Sequence, residues 1–97
     1  MSHWKNKIVN LGIIKSGIPK QVTFIALPTI PEIERIKPYC GCTTTQYDKE
    51  KGYLVITYSN SKIPDQVQGA QTINKRIDIL YADGETEVLT IQATRTK

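Results

Sequence analysis

The feature that most constrains this chain is the segment from Thr72 to Thr94, where two strand-patterned runs flank an Asp-Gly pair. In Thr72 to Tyr81, Ile73, Ile77, Ile79 and Tyr81 share one face, and Asn74, Arg76 and Asp78 share the other. That is the period of two of a half-buried strand. Ala82-Asp83-Gly84-Glu85 supplies a tight reversal, because Asp-Gly readily takes the positive backbone angles of a hairpin turn. Thr86 to Thr94 then returns with Leu89, Ile91 and Ala93 inward. A hairpin is not stable alone, so other strands must cover its apolar face.

The rest of the chain offers them. Tyr53 to Ser59 alternates Leu54, Ile56 and Tyr58 against Tyr53, Val55 and Thr57, and its β-branched and aromatic content suits a central strand. Ile8 to Ile14 is a short β-branched run, ended by Gly17 and Pro19. In Gln21 to Leu27 both faces are partly apolar, so alternation leaves open which one is buried. Between Pro31 and Pro38, Ile33 and Ile36 are three apart, which a bulge just before the cysteines reconciles with a strand. Asp48 to Gly52 reads as a charged turn, and Asn60 to Gln71 as an exposed loop of the kind that makes contacts. Six or seven short strands at this spacing predict an all-β sandwich.

Ninety-seven residues fit a single domain, 1–97, with room for one core but not for a core and a roomy active-site cleft. Hydrophobic residues at 39% and charged ones at 23% are ordinary globular values, which disfavours disorder. The net charge of +4 lies wholly at the start, because residues 1 to 20 carry Lys5, Lys7, Lys15 and Lys20 and no acid. Residues 1 to 7 read as a basic N-terminal arm. Trp4 beside Lys5 and Lys7 has the look of a stacking-and-charge segment, although nucleic acid is not the expected partner. No signal peptide and no membrane span are visible, which points to the cytoplasm or to assembly within one.

Both cysteines lie in Pro38-Tyr39-Cys40-Gly41-Cys42-Thr43-Thr44-Thr45. The spacing allows a small strained disulfide or two metal thiolates, but a zinc site wants four ligands and His3 is the chain's only histidine. The third reading has Cys40 and Cys42 packing as small hydrophobes at a strand corner, with Gly41 there for backbone shape. Asp65, Asp78, Asp83, Glu85 and Glu87 have no partnering histidine, and a solvated edge accounts for Glu85 and Glu87. No catalytic, cofactor or metal site is expected.

Leu11-Gly12-Ile13-Ile14, the Phe24 strand, Ile33 and Ile36 leading into Cys40-Gly41-Cys42-Thr43, then Tyr47, Leu54-Val55-Ile56-Thr57-Tyr58, Lys75-Arg76-Ile77-Asp78-Ile79 and Leu89-Thr90-Ile91 follow one another in a recognisable order. From about Ile8 to about Ala93 this resembles the DUF1573 family, an immunoglobulin-like module related to the ASPM/SPD-2/Hydin-type domains. The chain departs from the pattern at Leu27-Pro28-Thr29, at Tyr39 and at Lys51-Gly52. The resemblance implies an immunoglobulin-like β-sandwich of about seven strands, with Cys40, Gly41, Cys42 and Thr43 as its structural motif. It further implies a non-enzymatic module that contacts other proteins of a larger assembly, a tailed-bacteriophage particle above all. Trp4, Lys5 and Lys7, with Lys62, Asp65 and Gln66 of the loop, are the expected contact residues. The alternative is a cytoplasmic thiol-redox or metal-handling protein that uses Cys40 and Cys42.

Overall fold

The structure, a computed structural model, describes residues 3–39, 41–64, 66 and 69–97. Among these residues the strands are β1 (Ile8–Lys15), β2 (Lys20–Ile25), β3 (Ile33–Pro38), β4 (Thr43–Asp48), β5 (Tyr53–Tyr58), β6 (Gln71–Tyr81) and β7 (Thr86–Thr96). They form two sheets, β1-β7-β6-β3 and β2-β5-β4. The predicted hairpin is its spine: β6 and β7 pair antiparallel from Gln71↔Arg95 to Leu80↔Thr86. Gly84 closes it at φ 90°, its N–H donating to the Tyr81 carbonyl at 3.0 Å. A side chain at that angle would be strained.

Counted in chain order, the small sheet holds the second, fifth and fourth strands, and the large one the third, sixth and seventh. That is the division of an immunoglobulin-type sandwich. The first strand is the departure, because β1 runs parallel beside β7. Residues ahead of it cross to the other sheet: Trp4 bridges Ala26 antiparallel, Lys5 N–H donates to the Ile25 carbonyl, and Leu27 N–H to that of His3.

The alternation read in the sequence is the alternation that packs. Ile77, Ile79, Leu89 and Ile91 from one sheet meet Val22, Phe24, Leu54 and Ile56 from the other, all buried, which settles the buried face of β2. A register irregularity between Ile33 and Arg35 turns both Ile33 and Ile36 toward this core. A smaller cluster of Ile14, Tyr58, Ile73 and Ala93 fills the far end. The strand not anticipated is β4, where Thr43, Thr45 and Tyr47 point inward and Thr44, Gln46 and Asp48 outward. Gly52, at φ 71°, enters β5 with its carbonyl accepting from Ala26 N–H at 2.8 Å, and a Cβ there would stand 3.4 Å from that of Ala26.

The segment from Asn60 is not the wholly exposed loop the sequence suggests. Asn60 and Ile63 are buried. Asn60 takes the left-handed φ of 49°, and its amide donates to the carbonyls of Lys15 at 2.8 Å and Ile18 at 2.7 Å. Its backbone carbonyl accepts from Gly17 N–H, so one residue, through its side-chain nitrogen and its main chain, ties the β1–β2 turn to the start of the loop. Replacing Asn60 with Ala leaves two carbonyls without donors and an unfavourable φ, and is expected to cost about 2–3 kcal/mol. Asn60→Asp sets a carboxylate against those carbonyls and should cost at least as much. Urea midpoints measure both, and an Asp variant as stable as the native protein would refute the donor role.

Candidate functional site

The N-terminal arm is folded into the sandwich, and this corrects the contact surface expected at Trp4. Trp4 is 2% exposed and belongs to the main core. Its indole N–H donates to the Tyr81 hydroxyl at 2.9 Å, which donates in turn to Glu87 Oε1 at 2.6 Å. The same carboxylate oxygen accepts the backbone N–H of His3 at 3.1 Å, and Lys7 Nζ stands 3.7 Å from Glu87 Oε2. The His3 ring meets Tyr81 edge-on, with centroids 5.1 Å apart. His3 is held in place, and Lys5 and Lys7 remain exposed.

Glu87 is likewise not a solvated edge residue. It is buried, while Glu85, two residues earlier in the turn, is exposed. The signal lay in the period of two: the inward set Leu89, Ile91 and Ala93, extended back by one step, reaches Glu87. Burial, then the hydrogen bond to Glu87, raises the Tyr81 pKa far above its ordinary value. A cleft of about 520 Å³ opens here between His3, Lys7, Tyr81, Glu85 and Glu87, but its polar groups are engaged in holding the first residues down. Among the described residues no three His, Cys, Asp or Glu side chains converge as metal ligands would.

At the opposite end lies the cysteine corner. Cys40 and Asp65 fall outside the described residues. Gly41 is exposed, with open space where a Cβ would stand. Cys42 packs against the Ile14, Tyr58, Ile73 and Ala93 cluster and is disulfide-bonded, so it both fills space and is oxidised. Its carbonyl accepts from Ser59 N–H, and Thr43, buried, starts β4. Lys62 and Gln66 are exposed. Lys62 sits against the β1–β2 turn, its Cβ 3.9 Å from where one on Gly17 would be. The structure therefore does not join the arm and the loop as one contact surface: Trp4 lies beside Glu87 near the β6–β7 turn, and Lys62 beside the β1–β2 turn.

The outer face of the four-stranded sheet carries what the sequence did not single out. Toward β3, the exposed Tyr39 donates to Asp78 at 2.7 Å and lies under Arg76, 5.0 Å from its ring centroid. That hydrogen bond, together with Arg76 and Lys37, holds the Asp78 carboxyl below its usual range. Toward β1, Ile8 is 60% exposed and Ile13 78%, and Ile18 in the following turn is 48% exposed. No helix among the described residues is long and apolar enough to cross a membrane.

The Trp4–Tyr81–Glu87 chain sets a pH dependence. Tyr81 keeps its proton in the folded state above the ordinary pKa of 10.0, where the unfolded chain loses it. Its contribution is therefore complete below pH 10.0 and declines as pH rises beyond it. Tyr81→Phe, which strands the Trp4 donor and removes one from Glu87, should cost about 2–3 kcal/mol at neutral pH. The gap to the native protein should narrow in alkali. The chain's single tryptophan reports the same network, with blue-shifted emission shielded from acrylamide. A constant stability gap across that pH range, or a quenchable Trp4, would contradict it.

No protein-family model matches the chain, and no curated protein matches it.

Proposed function

We propose that the chain is a non-enzymatic structural module that binds other proteins within a larger assembly, with a tailed-bacteriophage particle as that assembly. The observation that carries the interaction reading is the set of exposed isoleucines on β1 and its turn, in a sandwich that buries Ile56, Ile63, Ile77, Ile79 and Ile91 to 1% or less. Apolar side chains left in water on an edge strand are the kind of surface that another chain covers. The polar groups inside the domain support the same reading, because Glu87, Tyr81 and Trp4 are engaged in one chain and the Asn60 side-chain nitrogen with backbone. Resemblance to small immunoglobulin-like modules of phage capsid, neck and tail supplies the particle. A thiol-redox or metal-handling role is the second reading; the oxidised state of Cys42 favours its redox half.

The test is composition. Particles from a host carrying the gene, banded on a density gradient and washed in high salt, are expected to retain the chain at a fixed ratio to the major capsid or tail protein. Recovery of the chain only among soluble host proteins would overturn the particle reading. A Cys42→Ser variant should be retained equally. Its loss from otherwise intact particles would favour the cysteine chemistry.

A further inference from the structure

We infer that β1 and the β1–β2 turn form the docking surface of the module, and that its occupant is an extended acidic segment of a different protein, with apolar side chains between its carboxylates. This rests on the interaction reading above and adds where the partner sits and what its chemistry is.

The position follows from topology. β1 is the last strand of its sheet, with β7 on one side and no strand on the other among the described residues. Its register fixes which side chains face out. Ile8 lies beside Thr90, Asn10 beside Gln92 and Ile13 beside Thr94, whereas Val9 and Leu11 pack on the core between the sheets. The register shift between Asn10 and Ile13 keeps Ile13 outward and Ile14 inward. Ile18 continues the apolar line around the turn. The neighbouring ladder of Thr90, Gln92, Thr94 and Thr96 is neutral, and gives these isoleucines a flat polar floor with no competing charge.

The charge selects the occupant. Residues 1 to 20 hold Lys5, Lys7, Lys15 and Lys20 and no carboxylate. Lys62, exposed and two residues after the Asn60 tether, adds a further cation whose side chain begins against Gly17. Glu87 stands by Lys7, and the acid across the same face, Asp78, is engaged by Arg76 and Tyr39. Two copies of this chain meeting edge to edge through β1 would bring lysine against lysine, an arrangement that like charges disfavour. A strand that carries valine or leucine and carboxylates in turn along one face meets both features, its apolar residues on Ile8 and Ile13 and an acid on Lys15, which the register puts on that same face.

The test uses the full chain and a fluorescein-labelled ten-residue peptide with Val and Glu in turn at every second position and Ser between, so that both fall on one face of the strand. Two control peptides separate the contributions, one with Ser in place of each Val for charge alone and one with Ser in place of each Glu for apolarity alone. The Val-Glu peptide is expected to bind, with amide NMR shifts gathered in residues 8–18, and each control to bind at least about ten-fold more weakly. Ile13→Ser, at a position 78% exposed and outside the core, should weaken binding about ten-fold at unchanged thermal stability. Lys15→Glu should weaken it by a similar factor and flatten its salt dependence. Shifts gathered around Tyr39 and Arg76 instead, binding indifferent to Ile13→Ser, or concentration-dependent dimers abolished by Ile13→Ser would each overturn the inference. If the chain is retained in particles but Ile13→Ser is retained equally, the docking surface is wrong and the module reading survives. If native chain binds the peptide through residues 8–18 yet is absent from particles, the particle reading fails and the surface stands.

Discussion

A buried carboxylate is the constraint on which much else in this small sandwich depends. Glu87 occupies an inward position on β7, two residues ahead of Leu89, and an ionised carboxyl there costs several kcal/mol unless donors surround it. Tyr81 provides the first, placed by the β6–β7 register on the same face and one step beyond Ile79, the partner of Glu87. The other contacts come from outside the hairpin: the backbone N–H of His3, and the ammonium of Lys7 nearby. Trp4 braces the tyrosine hydroxyl from the interior. The start of the chain is therefore a required part of the core. Removing it would leave Glu87 short of a donor and uncover the space that Trp4 fills.

The same stretch solves a second problem, that of sheet edges. An unpaired strand edge invites association, and two open sheets, of four and three strands, have four of them. Residues 3–5 pair with the end of β2, and residues 8–15 with β7. One continuous segment thus covers part of an edge in each sheet. β4 turns Thr44, Gln46 and Asp48 outward, and β3 ends at Pro38, a residue that cannot extend a ladder. What is left is β1 itself. Its bulge and its lysines are the ordinary means of discouraging self-pairing, and its exposed isoleucines are not.

Most of the fold was legible, for a reason that also shows where legibility ended. Ile77, Ile79, Tyr81, Leu89 and Ile91 announce their face because a period of two in apolar residues has no other cheap explanation. β4 was missed because its inward set, Thr43, Thr45 and Tyr47, is half polar; the pattern was present without hydrophobic contrast. Trp4 and Glu87 were misplaced because Tyr81 links them, across 83 positions of sequence. No local rule connects a terminal tryptophan with a glutamate on the last strand. Asn60 is a similar case. Asparagine after a strand suggests a turn, and the sequence cannot show that its amide crosses to the carbonyls of Lys15 and Ile18.

The exposed isoleucines admit a plain explanation that must be weighed. Isoleucine suits strands wherever it stands, since branching at Cβ fits the pleated backbone even in water. That accounts for Ile8 and Ile13 as strand formers and asks for no partner. It does not account for Ile18, which lies between Gly17 and Pro19 in a turn, where β-propensity confers nothing and a polar residue would serve as well. Nor does it account for the tether: Asn60 holds the Ile18 carbonyl and brings the Lys62 Cβ beside Gly17, fixing the turn against the start of the loop. A turn needed only to connect β1 to β2 could stay loose. This one is held by a buried side chain, with Ile18 exposed at its tip, Lys15 at its start and the Lys62 Cβ against it.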